Sequence, residues 1–167
     1  MAPFDAIKQI LPAFEQYYTV KKEDITPPFC AEAEFRSHNE QYFLVRSAHI
    51  ADIDSNEFVY FAECDQLSPE YLDKLVNTAW NTGLAKVQPH EGHRNSDVSL
   101  LVFATSFTSE TEKIIKKTKL YKSYKFSFHG WSNFKLAVYR LSDMAVFSNR
   151  LGKDYKKLII KNIKNPL

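Results

Sequence analysis

Phe4, Ile7, Leu11, Phe14 and Tyr18 recur at three- and four-residue intervals, which places them on one helical face. The spacing predicts an opening helix. Pro12 predicts a kink or break in it, because proline has no N–H to donate and its ring crowds the preceding turn. Pro27 and Pro28 close this region, since a residue before proline is driven out of the helical basin. From Phe29 to Asp65 the period falls to two. Ala31, Ala33 and Phe35 alternate with Glu32, Glu34 and Arg36; His38–Glu40 reads as a turn, Tyr42–Ile53 as an extended run, and Asp54–Asn56 as a second turn into Phe58–Phe61. A meander of about three strands is expected.

Ser68, Pro69 and Glu70 form a helix start: a hydroxyl to cap free donors, a proline suited to the first position, and an acid at the positive end of the dipole. Gly83 is the predicted end, and Leu72, Leu75, Val76, Ala79 and Trp80 are the predicted buried stripe. Val98–Ala104 is almost continuously apolar, as a strand covered on both faces requires, so it is assigned the centre of a sheet. Ser109–Glu112 reads as a capping box for a third helix, ending near Lys116, Lys117 and Lys119. Beyond Leu120, Lys122, Tyr124, Phe126 and Phe128 alternate with Tyr121, Ser123, Lys125, Ser127 and His129, which predicts a strand. Gly130 with Ser132 and Asn133 predicts a hairpin turn into a strand over Phe134–Leu141, with a short strand over Met144–Ser148. Asp154 is placed to cap a last helix with Tyr155, Leu158, Ile159 and Ile163 inward. This order predicts a single α+β domain over residues 1–167, with a mixed, mainly antiparallel sheet flanked by helices.

The composition supports one packed core: 167 residues, 44% hydrophobic and 14% aromatic. No basic-then-apolar leader opens the chain and no run reaches the roughly 18 apolar residues of a membrane span, so a cytoplasmic protein without membrane insertion is expected. Cys30 and Cys64 each lie in an apolar run and read as reduced, buried thiols. Charge changes the picture more. From Lys113 onward 14 Lys and Arg stand against two Asp, a formal +12; the part before it carries 8 against 18 acids, a formal −10. Such a split either marks an anionic partner or neutralises itself in the fold.

Four groups of residues are candidates for chemistry. Pro89–Arg94 is a polar loop with His90, Glu91, Gly92 and His93, but its histidines are three apart, not the four of the helical zinc motif, so no metal is assigned to it. His129, Gly130 and Trp131, with Ser132 and Asn133, make a tip that combines a ring with a titratable hydrogen bonder; its functional reading strengthens if His93 and His129 are neighbours. Glu32, Glu34, Asp52, Asp54, Glu63 and Asp65 form an acidic set. The element order is also that of restriction-endonuclease-like nucleases, which resemble one another in an acid followed by an acid-x-lysine around magnesium. Glu63-Cys64-Asp65 lacks the lysine, which removes the most diagnostic residue. Lys113–Lys135 interleaves Lys116, Lys117, Lys119, Lys122 and Lys125 with Tyr121, Tyr124, Phe126 and Phe128; lysines neutralise phosphates and rings stack bases, although a strand would use the same alternation to build a core. With 4 glycines in the chain, phosphate-cradling loops are nearly excluded, and no cofactor is assigned.

At Lys122–Trp131, at Ala31–Phe35 and around Gly92-His93, the chain resembles a family of small bacterial proteins of unknown function. The resemblance implies no activity, cofactor or partner, and directs attention to His93 and the His129–Trp131 tip.

The leading expectation is a non-enzymatic binding or regulatory domain for an anionic ligand, nucleic acid or protein, with His93, Lys122, Lys125, His129, Trp131 and Asn133 as binding residues. Whether the protein is an enzyme stays open. One alternative is a metal-dependent hydrolase or degenerate nuclease built on the acidic set. The other is a structural protein that forms homo-oligomers.

Overall fold

The computed structural model describes residues 1–36, 54–90 and 92–163. In chain order the elements are α1 (Pro3–Glu15), β1 (Thr19–Lys21), β2 (Ala31–Arg36), β3 (Asp54–Gln66), α2 (Pro69–Ala85), β4 (His93–Ser106), α3 (Ser109–Lys117), β5 (Tyr121–Ser123), β6 (Trp131–Arg140), β7 (Ala145–Ser148) and α4 (Lys153–Asn162). Among the described residues seven strands form one mixed sheet in the order β1-β2-β3-β4-β6, with β5 and β7 both paired to the outer edge of β6. The β3–β4 and β4–β6 pairings are parallel and the other pairings are antiparallel. The expected α+β class with a mixed sheet flanked by helices is what the chain forms. No helix among the described residues is long and apolar enough to cross a membrane.

The period-two alternation of the central strands sends side chains to two separate cores. Val59 and Phe61 on β3, Leu101 and Phe103 on β4 and Ala137 on β6 pack against Ile7, Ile10 and Phe14 of α1 and Tyr155 and Ile159 of α4. Phe58, Tyr60, Leu100, Val102, Phe134 and Leu136 point the other way, onto Leu72 and Leu75 of α2 and Ile115 of α3. Val98–Ala104 is buried throughout, as a central strand under helices on both faces requires.

Local signals held where nothing competed with them. Ser68 caps α2, its Oγ accepting the Tyr71 N–H at 3.1 Å, and Pro69 follows at the first helical position. Elsewhere tertiary contacts prevailed. α1 runs unbroken through Pro12, which faces solvent so that water can serve the carbonyl that proline leaves unpaired. α2 continues past Gly83 to Ala85 because that glycine is a packing residue: a Cβ there would lie 2.5 Å from Val98 Cγ2. The expected capping box at Ser109–Glu112 does not form; the hydroxyl of Thr111 donates to Leu67 O, and Glu112 binds Arg140. Gly152 holds the cap position of α4 in place of Asp154, which pairs with Lys157 in the first turn. Asp54–Asn56 opens β3 and makes no turn. The strand read over Tyr42–Ile53, the turn at His38–Glu40 and Asp52 lie outside the described residues.

β5 and β7 leave a gap between them on the edge of β6, and a side chain fills it. Buried Asn149 donates from Nδ2 to Phe134 O and Thr118 O, and its Oδ1 accepts from the N–H groups of Leu136 and Gly152. One amide thereby replaces the missing stretch of ladder and ties β6 to the start of α4. Asn149→Ala would leave several buried backbone groups unpaired. The expected loss is about 3 kcal/mol of unfolding free energy with unchanged secondary structure by circular dichroism; a loss below about 0.5 kcal/mol in urea denaturation would contradict this role.

Candidate functional site

The same alternation that buries Val59 and Phe61 also turns Glu57 inward, and the register places Asp97 directly across from it on β4. Ser99 and Lys135 are likewise paired across β4 and β6. All four project onto the sheet face covered by α1 and α4. Glu57 Oε1 accepts from Ser99 Oγ at 2.6 Å and from Tyr155 Oη of α4 at 2.5 Å; Oε2 accepts from Tyr18 Oη, just beyond α1, at 2.6 Å. Lys135 Nζ lies 3.4 Å from Glu57 Oε1 and 3.2 Å from Asp97 Oδ2. The backbone N–H of Asn133 donates to Asp97 Oδ1 at 3.3 Å.

Burial alone raises the Glu57 carboxyl, but the Lys135 ammonium and the hydroxyls of Ser99, Tyr155 and Tyr18 outweigh it and hold the group below its ordinary range. Burial likewise pulls Lys135 down, while Glu57 and Asp97 pull it up further, so it lies above the usual lysine range. Both directions describe an ion pair at neutral pH. Burial and the Glu57 charge push the Tyr155 and Tyr18 phenols upward, which keeps them protonated as donors. A cavity of about 310 Å³ opens beside this cluster, at the end of the sheet where β3, β4 and β6 begin.

The second cluster sits at the same end of the sheet, on the α2 side. Here His93 and His129 are neighbours: His93 Nδ1 is 2.5 Å from the His129 carbonyl oxygen, which can only accept, so Nδ1 carries the proton. Nε2 makes a second hydrogen bond, with Ser96 Oγ at 2.8 Å. His93 is buried, and what it presents to the tip is this hydrogen bond. Gly130 follows with φ 83°, and a Cβ there would lie 2.2 Å from Arg94 O. Tyr124 braces the other side through Ser132 Oγ at 2.9 Å and by backbone bonds to Gly130 and His129.

Between those braces the chain departs from the expected strand. β5 ends at Ser123, and Lys125, Phe126 and Ser127 take φ of 46°, 53° and 71°, a left-handed turn that disfavours side chains. The alternation of Phe126 and Phe128 therefore does not build a core: they are 95% and 82% exposed. Lys122 and Lys125 are exposed beside them, His129 and Asn133 are half-buried, and Trp131 is half-buried under the Arg94 guanidinium, 5.9 Å from its ring.

The acidic set is spread along the sheet. Glu32 is buried and paired with Lys86 at 3.5 Å; Glu34 pairs with Arg36; Glu63 and Asp65 are exposed further along β3. No three His, Cys, Asp or Glu among the described residues are grouped to hold a metal ion. Cys30 and Cys64 are free and half-buried, with burial foremost in pushing both thiols up to about 11, where they are poor nucleophiles at neutral pH.

The profile of a domain of unknown function, DUF8052, matches residues 4–161, from α1 to α4. The chain belongs to that family. The DUF8052 match therefore takes in both polar clusters, and it bears out the resemblance to a family with no assigned function. No curated protein and no solved structure matches the chain.

Sequence reading singled out His93, His129 and the lysines, leaving open whether the two histidines meet, and passed over Glu57 and its partners. A signal existed: Glu57 and Lys135 share parity with Val59, Phe61, Ala137 and Tyr139, so each is a charge on a core-facing row. Because the folded-state pKa of Glu57 is depressed, its contribution to stability is present above the ordinary carboxyl pKa and is lost as pH falls through the folded value. Glu57→Gln is expected to cost about 3 kcal/mol at neutral pH. Urea unfolding across a pH series should show the gap from wild type closing below pH ~4; a gap independent of pH would refute the charged state of Glu57.

Proposed function

We propose that this domain is a non-enzymatic binding module whose tip, residues 124–130, and adjoining basic sheet edge engage a polyanion, with single-stranded nucleic acid as the class that fits. The observation that carries this reading is the exposure of Phe126 and Phe128 beside Lys122 and Lys125 on a turn braced from within. Two phenylalanines in water on a left-handed turn are costly both in apolar surface and in backbone conformation, and such costs concentrate at interaction sites. Lys113, Lys116, Lys117 and Lys119 continue the exposed charge along α3 and into β5.

Strand order supports the same reading. The residues after Lys113 build β5, β6, β7 and α4 at one edge of the sheet, and the acidic β2 and β3 lie toward the other. The two charge regions meet where Lys135 pairs with Glu57 and Asp97 and where Arg140 pairs with Glu112. The lysines of the tip lie outside those pairs. A phosphate backbone would be neutralised by the lysines while its bases stack on the rings. The free thiols of Cys30 and Cys64 suit a reducing, cytoplasmic setting.

Fluorescence anisotropy with a labelled oligothymidylate tests this. Binding is expected at low salt and to weaken as salt rises; Lys122→Glu should weaken it and flatten the salt dependence, while Phe126→Ala should cost about 1–3 kcal/mol with the slope retained. Absence of binding at low salt, or indifference to both substitutions, would overturn the reading. So would a concentration-dependent dimer in light scattering that Phe126→Ala abolishes, since the rings would then serve self-association.

A further inference from the structure

The cavity beside Glu57 is a second site, independent of the tip, and we infer that it takes a small organic cation bearing a primary ammonium group and an apolar ring or chain. The inference starts from which groups are already satisfied. Glu57 is saturated: three hydroxyls hold its two oxygens at 2.5–2.6 Å, and Lys135 adds a fourth contact. Asp97 is not. Its described partners are Lys135 at 3.2 Å and the Asn133 N–H at 3.3 Å, both long beside the roughly 2.7–2.9 Å of a good charge-assisted bond.

Asp97 and Lys135 both line the cavity, so this loosely bonded carboxylate borders the space a ligand would enter. The sign of the charge selects the ligand. Among the described residues two carboxylates stand against one ammonium, a formal −1 in a largely buried setting, which repels an anion and favours a cation. Tyr17 and Phe35 supply an aromatic wall to the same cavity, suited to the apolar part of the ligand and attractive to its charge. At about 310 Å³ the space lies at the small end of ligand pockets, which limits the occupant to a small molecule. The hydroxyl ring around Glu57 fixes the floor, so the Asp97 acceptor is positioned before binding.

Three near-isosteric probes separate the alternatives on the full chain by isothermal titration calorimetry: benzylamine, benzyl alcohol and benzoate. Saturable binding of benzylamine, about tenfold tighter than benzyl alcohol and with no response to benzoate, is the expected result. Asp97→Asn keeps an acceptor for the Asn133 N–H and removes the charge, and should weaken benzylamine about tenfold. Phe35→Leu tests the wall without touching the ion pairs, and should also weaken benzylamine; thermal unfolding checks that both variants remain folded. Equal binding of the three probes, no saturable binding at millimolar benzylamine, or unchanged affinity in both folded variants would overturn the inference. None of these outcomes bears on oligonucleotide binding at the tip.

Discussion

One buried carboxylate organises this molecule. Glu57 stands on β3, its hydroxyl donors come from β4, α4 and the segment after α1, and its ammonium partner comes from β6. A charge in such a place is tolerable only when every lone pair finds a donor, because the desolvation of an unpaired carboxylate would exceed what the surrounding apolar packing supplies. The helices that cover this face are thus fixed by the hydrogen bonds of Tyr18 and Tyr155 as well as by the packing of Phe14 against Phe61 and Tyr155. Apolar contacts alone would tolerate sliding of α1 and α4 over the sheet; directed bonds to a single group do not.

The opposite side of the same sheet end is organised by hydrogen bonds to a backbone. His93 and Tyr124 hold a turn whose three left-handed residues would not persist without support. Both polar clusters lie where the parallel strands β3, β4 and β6 begin, and the Asn56–Ser96 bond at 3.3 Å lies between them, Asn56 bordering the cavity and Ser96 bonding His93. The two ends of the sheet therefore differ in character. The two polar clusters lie at one, and at the other Arg140 pairs with Glu112 and Asp143 beside Cys64, Ala104 and Phe107, which form the core or its margin.

Legibility followed the range of the interaction. Ser68-Pro69 and the Val98–Ala104 run were readable because the signals are local: a cap needs only the residues that follow it, and a strand apolar on both faces carries its burial in its own composition. The same logic explains the misreadings. Pro12, Gly83 and Glu112 carry strong local meanings, and in each case solvent exposure, a facing Val98 or an arginine from β6 gave the residue a different use. Phe126 and Phe128 alternate as core residues do, but three consecutive positive φ angles turn the chain away before the alternation can be used.

The sequence by itself determined the class of fold, the central strand, most helix limits to within a turn, and the split between a net negative chain before Lys113 and a net positive one from it onward. These are properties of neighbouring residues or of composition. Only the tertiary structure decided that Glu57, Asp97, Ser99 and Lys135 meet, because their adjacency depends on the register of three strands that the chain visits through two helical crossovers. It also decided that the charge split stays a split in space. Strand order carries β2 and β3 and the β5–β7 edge to opposite sides of β4, so among the described residues the two regions meet at Lys135 and at Arg140, and the lysines of the tip are left facing solvent.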